Sequence, residues 1–155
     1  KKEENTSNCS QIIPKMNFYE INQNYLYPKI KDYLDIVFEN DLFTGIKYLF
    51  ENNTFENMPI YNSNGRTTSF YIFENNNWIK LSTEKLNKYI EQITEEFMFV
   101  FNSEWIQVNQ EKLLTDEIFQ QNYMKYTEKF VGNSPTHQEK INSQLKPFLS
   151  KLLKV

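Results

Sequence analysis

Alanine is absent from this chain, arginine and histidine occur once each (Arg66, His137), cysteine occurs once (Cys9), and glycine occurs three times in 155 residues. Each scarcity excludes a kind of chemistry. A single cysteine permits no internal disulfide, which fits a reducing, intracellular compartment and argues against secretion. A single histidine with no cysteine beside it supplies neither converging metal ligands nor a nucleophile–base pair. It falls in residues 136–139 (THQE), a capping-box pattern that makes it a solvent-facing first-turn residue. Glycines at 45, 65 and 132 are too far apart to cradle a phosphate. No apolar run approaches the ~20 residues of a membrane span, and no signal-peptide core is present. The expected cofactor and metal complement is none.

What is present is aromatic. Thirteen Phe, ten Tyr and two Trp supply enough bulky apolar surface for one folded domain, although mean hydropathy is -0.67. Twenty Asn, sixteen Lys and no Ala match the codon usage of an AT-rich genome. Asparagine clusters and the preference for lysine are therefore coding bias first, and prion-like or phosphate-binding signals only second. A net charge of -3 and a pI of about 5.3 have the wrong sign for a protein dominated by phosphate contacts.

Residues 1–16 are polar and suggest a flexible leader or linker, followed by a single globular α+β domain over 17–155. Residues 17–21 (NFYEI) suggest a short strand or docking segment. Helical spacing follows Pro28 through Ile30, Leu34 and Val37, and again from Asp41 through Leu42, Ile46 and Leu49. The period then switches. Asn64-Gly65 is a strong hairpin signal, residues 67–73 are β-branched and aromatic, and a second turn at 75–77 precedes Trp78. The expected fold is α+β: a three-stranded antiparallel meander at about 59–81, packed by four or five helices. Later helices follow Ser82 and either Thr115 or Asp116, with a loop over 106–114. The last begins in the THQE box, is kinked or split at Pro147, and packs back onto the meander.

Among polar residues, carboxylates are the only catalytic candidates, and Asp32 with Asp35 and Glu95 with Glu96 are pairs a two-metal nuclease could use. They sit on helices whose wet faces account for them, so this is a remote alternative. Arg66, Asn64 and Lys80 on the meander, with Trp78, Tyr61 and Tyr71 as stacking platforms, favour nucleic-acid contact as the main alternative, joined by Lys140 and Lys151 on the last helix.

The phrases at residues 55–64 (FENMPIYNSN), 70–72 (FYI) and 77–80 (NWIK), with residues 17–20 (NFYE) upstream and 138–141 (QEKI) downstream, resemble a module common in giant viruses, the nucleocytoplasmic large DNA viruses. The resemblance implies a non-enzymatic accessory role in the C-terminal part of a longer viral protein, behind coiled-coil, Asn-rich or DNA-binding front halves. It carries no catalytic residues. The expected function is a protein-interaction or assembly module, by self-association or with a protein partner, in the host cytoplasm or virus factory and away from membranes.

Overall fold

The computed structural model describes residues 13–132 and 134–155; Cys9 and most of the expected leader lie outside them. Asn17 starts α1 (Phe18–Ile21) through reciprocal bonds with Glu20: its side chain accepts from the Glu20 N–H at 2.8 Å, and the Glu20 carboxylate accepts from its own N–H at 2.9 Å. This capping box makes residues 17–21 helical and corrects the expectation of a strand. The chain stays helical through a π turn (Asn22–Leu26), a 3-10 segment (Tyr27–Tyr33) and α2 (Leu34–Glu39). Pro28, which lacks an N–H, falls where the wide turn gives way to the tight one.

Asp41 begins α3 (Leu42–Glu51) by accepting from the Thr44 N–H at 2.8 Å. Gly45 lies inside that helix at a cost in helix propensity, because a Cβ there would overlap the Val37 side chain. Close approach of α2 and α3 requires the glycine.

The sheet is an antiparallel meander of β1 (Ile60–Asn62), β2 (Phe70–Glu74) and β3 (Asn77–Leu81), in that order. The α+β expectation holds, but the turns exchange roles. Asn75 and Asn76 are both left-handed, at φ 51 and 63, and form the tight two-residue turn. At Asn64-Gly65 only the glycine has positive φ, at 83. Asn62 is the cause of the longer β1–β2 connection. Its buried carboxamide accepts from the N–H groups of Asn64 and Gly65 and donates to the Arg66 carbonyl at 2.7 Å, so it bends the chain before a two-residue turn can close. The same residue's backbone faces the sheet edge. Its N–H donates to the Leu153 carbonyl at 2.9 Å, and its carbonyl accepts from the Val155 N–H at 3.0 Å.

Ser82 caps α4 (Thr83–Phe101), which a π turn (Asn102–Ile106) extends. The loop expected at 106–114 instead contains most of α5 (Gln110–Thr115). Asp116 caps α6 (Glu117–Val131), and Gly132 ends it. The final helix, α7 (His137–Leu152), departs from expectation twice at its start. Its capping box does not form, because Thr136 is not extended (φ -96, ψ 11) and its hydroxyl lies 2.9 Å from that of Ser134. His137 is half-buried against Gly132, where a Cβ would overlap the imidazole, so it is not solvent-facing. Pro147 does not split the helix: it and Ser143, whose carbonyl it frees, are both exposed, so the loss falls on the solvent side. The helix packs mainly on α3 and α4, and its tail bridges to the meander at Asn62.

Ile30, Val37, Leu42, Ile46, Phe70, Ile90, Phe97, Leu145 and Leu149 are fully buried between these layers. Each such side chain contributes about 1.5–3 kcal/mol. A ring cluster ties α6 to the body: Phe38 stacks on Tyr126 at 4.1 Å, Phe101 on Phe130 at 4.5 Å, and Trp105 meets Phe101, Phe119 and Tyr126 within 6.0 Å. β2 is covered on both faces, as expected, with Phe70 buried toward the helices and Tyr71 and Phe73 buried on the opposite side.

Because the buried Asn62 carboxamide holds three backbone groups of residues 64–66, Asn62→Ala is expected to lower stability by about 1–3 kcal/mol, leaving those groups without that partner. Exposed Asn64→Ala is expected to cost about 0.5 kcal/mol or less. Urea unfolding of the two variants measures the contrast.

Candidate functional site: a cleft beside the sheet edge

The Asn62–tail pairing also builds a cleft of about 640 Å³. Tyr61 and Trp78 form its aromatic part, Phe55 to Met58 one wall, and Leu152 to Val155 the other. Trp78 reaches from β3 across β2, its ring 4.8 Å from Tyr61 and 5.3 Å from Phe73, while Tyr61 stacks on Tyr71 at 5.2 Å. The Trp78 indole Nε1 is shielded from water and has no acceptor among the described residues.

The first wall is held from beneath. Asn53 is buried and donates to the Leu49 carbonyl at 2.7 Å and to the Tyr33 hydroxyl at 3.1 Å. Asn57 takes a left-handed conformation at φ 68, and Phe55 is 45% exposed with its ring edge-on to Tyr25 at 5.5 Å. Glu56 and Lys154 place opposite charges on the two walls. A cleft of this size, mostly apolar with a few polar groups at its rim, can hold several side chains of an extended chain segment.

Of the residues expected to make contacts, Trp78 lines the cleft directly. Asn64 and Arg66 are exposed on the adjoining loop, where the Asn64 side chain accepts from the Arg66 N–H at 2.9 Å and Lys154 lies over Gly65. Lys151 is exposed in the last turn of α7. Lys80 is exposed on β3 opposite Tyr71. Lys140, in the first turn of α7, is about 16 Å from Lys151 along the helix axis and joins neither group. Tyr61 and Tyr71, expected as stacking platforms, are buried. Asp32, Asp35 and Glu95 are exposed and Glu96 is half-buried; among the described residues no group of three or more His, Cys, Asp or Glu is placed to hold a metal ion. Sequence reasoning missed Phe55 and Met58 as site residues, because the cleft joins segments about a hundred residues apart. Asn62 did carry a local signal, the Asn-x-Asn-Gly spacing of an Asx turn.

A second polar cluster is internal. The Tyr89 hydroxyl donates to the Asn22 carboxamide at 2.6 Å, and Asn22 donates to the Phe18 carbonyl at 2.8 Å, which pins the π turn to α4. Burial pushes the Tyr89 hydroxyl well above its usual pKa of 10.0, with a smaller push from Tyr27 and an opposing effect from the Asn22 bond. Tyr27 is pushed up as well, first by burial and then by the Glu96 carboxylate. Neither group is arranged for proton transfer at neutral pH; the pair is a neutral-only lock.

Raised native pKa values mean that these phenols stabilise the fold fully below pH 10 and lose that contribution as the pH climbs from there toward their native values. The urea midpoint is therefore expected to fall above about pH 10, and Tyr89→Phe is expected to flatten the decline.

Compared with protein-family models, curated proteins and solved structures, the chain matches none.

Proposed function

We propose that this domain is a non-enzymatic protein-interaction module that grips an extended apolar segment of a partner protein in the cleft between residues 54–58 and the C-terminal tail. The observation that carries this reading is the cleft itself: an open volume of about 640 Å³ with Phe55, Met58, Trp78, Leu152 and Leu153 in its lining, on scaffold positions fixed by Asn53 and Asn62. Aromatic and aliphatic pockets on a rigid frame bind peptide side chains well because little ordering entropy is lost on contact. The lone Trp78 Nε1 donor adds a place for a peptide carbonyl once the indole shifts to meet it. The resemblance to an accessory giant-virus module points the same way and suggests a viral assembly setting.

A displayed library of random peptides provides the test. Selection on the full chain is expected to enrich apolar sequences that share a motif, and Phe55→Ser is expected to weaken their binding about tenfold or more. Phe55 is exposed, so the variant should fold. No enrichment, or equal binding to the variant, removes the reading.

Nucleic-acid recognition is the second reading, favoured by one arrangement: the Arg66 loop lies under Lys154, with Lys151 three residues before it. Phosphate binding there would make affinity for single-stranded DNA or RNA fall steeply with added salt, and Arg66→Ala would reduce that slope by about one. A flat salt response eliminates it.

A further inference from the structure

β3 is an open edge, and its backbone direction can be read from the turn that precedes it. In a two-residue hairpin the residues flanking the turn form a hydrogen-bonded pair. The pairs Glu74 with Asn77, Ile72 with Ile79 and Phe70 with Leu81 are therefore the bonded ones. Trp78 and Lys80 must turn their N–H and C=O groups away from β2. The far side of β2 agrees, since the Phe73 N–H donates to the Pro59 carbonyl of the β1 side at 2.9 Å. Among the described residues no backbone bond from outside the sheet reaches Trp78 or Lys80. Ile79 between them is 44% exposed, and Lys80 and Asn77 are also exposed.

We propose that a second copy of this chain adds to this edge, β3 against β3 across a two-fold axis at Ile79, giving a continuous six-stranded sheet. The occupant follows from the register choices. An antiparallel pairing of two identical strands can be centred on only a few residues. Centred on Lys80, it sets like charges directly opposite each other and brings Trp78 against Ser82, the cap of α4. Centred on Trp78, it brings Lys80 against Asn76, inside the turn. Centred on Ile79, Trp78 of each copy faces Lys80 of the other. Both outward residues then exchange two bonds with their partner. Each Lys80 then lies away from the other lysine. The exposed Ile79 side chains meet across the axis and bury one another. The strand is self-complementary in that register alone, as a two-fold interface requires. Lysine on an edge usually discourages pairing; here it selects the register. The interface is small, so the dimer is transient, forming at about 0.1–1 mM protein. Trp78 belongs to both surfaces, its backbone on this edge and its ring in the cleft, and variants at Ile79 and Phe55, each of which belongs to one surface alone, separate the two proposals.

Crosslinking reads the register. In a Cys9→Ser background, Ile79→Cys places two thiols on a non-hydrogen-bonded pair with Cα atoms about 4.5 Å apart, within disulfide reach. Mild oxidation is expected to give a covalent dimer in a yield that rises with protein concentration. Lys80→Cys, opposite Trp78 of the other copy, is expected to give several-fold less. Sedimentation equilibrium of the unmodified chain is expected to show weak dimerisation that Ile79→Lys reduces at least tenfold and Phe55→Ser leaves unchanged, with unfolding midpoints confirming that both variants fold. A monomer at every concentration, equal crosslinking of the two cysteine variants, or a dimer indifferent to Ile79→Lys overturns the proposal.

Discussion

A three-residue strand at a sheet edge cannot hold itself, and the structure around β1 depends on how Asn62 overcomes that weakness. The residue uses every polar group it has. Its carboxamide fastens residues 64–66, and its backbone fastens Leu153 and Val155. Full burial makes those bonds obligatory, because an unpaired amide in the interior costs more than any of them gains. The loop, the last residues of the chain and the cleft between them thus meet at one residue, the loop held by its side chain and the tail by its backbone.

The helical body follows a different logic. Its middle is aliphatic and close-packed, whereas α6 is held by rings from Phe38, Phe101, Trp105, Tyr126 and Phe130. Aromatic pairs gain from edge and offset geometry beyond the area they bury. That suits a helix with Phe130 as its one buried residue among those described. The π turns at 22–26 and 102–106 lie beside such rings or beside the Asn22–Tyr89 bond, so each irregularity coincides with a contact that fixes it.

Local chemistry explains what was legible in the sequence. The caps at Asp41, Ser82 and Asp116, the stop at Gly132 and the three strands are written in neighbouring residues, and they form as expected. The errors arise where a local signal met a competitor. Asn64-Gly65 would make a tight hairpin if Asn62 did not claim its N–H groups first. Thr136 would cap α7 if Ser134 were not closer. The aromatic run Asn17 to Ile21 suggests a strand until Glu20 is seen to close a capping box. The cleft was legible only in part: the last helix is expected on the meander, but nothing near Phe55 or Trp78 says that Leu152 to Val155 will form a wall against them. Arg66 and Lys80 stood out by rarity and charge, yet the walls are made from ordinary residues.

The loop under Asn62 also bears on chemical ageing. An asparagine followed by glycine is the dipeptide most prone to lose its amide, because the unhindered glycine nitrogen attacks the preceding carboxamide to form a succinimide. In residues 64–65 both reactants are occupied: the Gly65 N–H is held by the Asn62 oxygen, and the Asn64 oxygen is held by the Arg66 N–H. Ring closure needs the nitrogen to let go and turn. The rate at which this dipeptide degrades is therefore governed by how often the Asn62 side chain releases it, and the loop keeps its covalent integrity for as long as its hydrogen bonds stay closed.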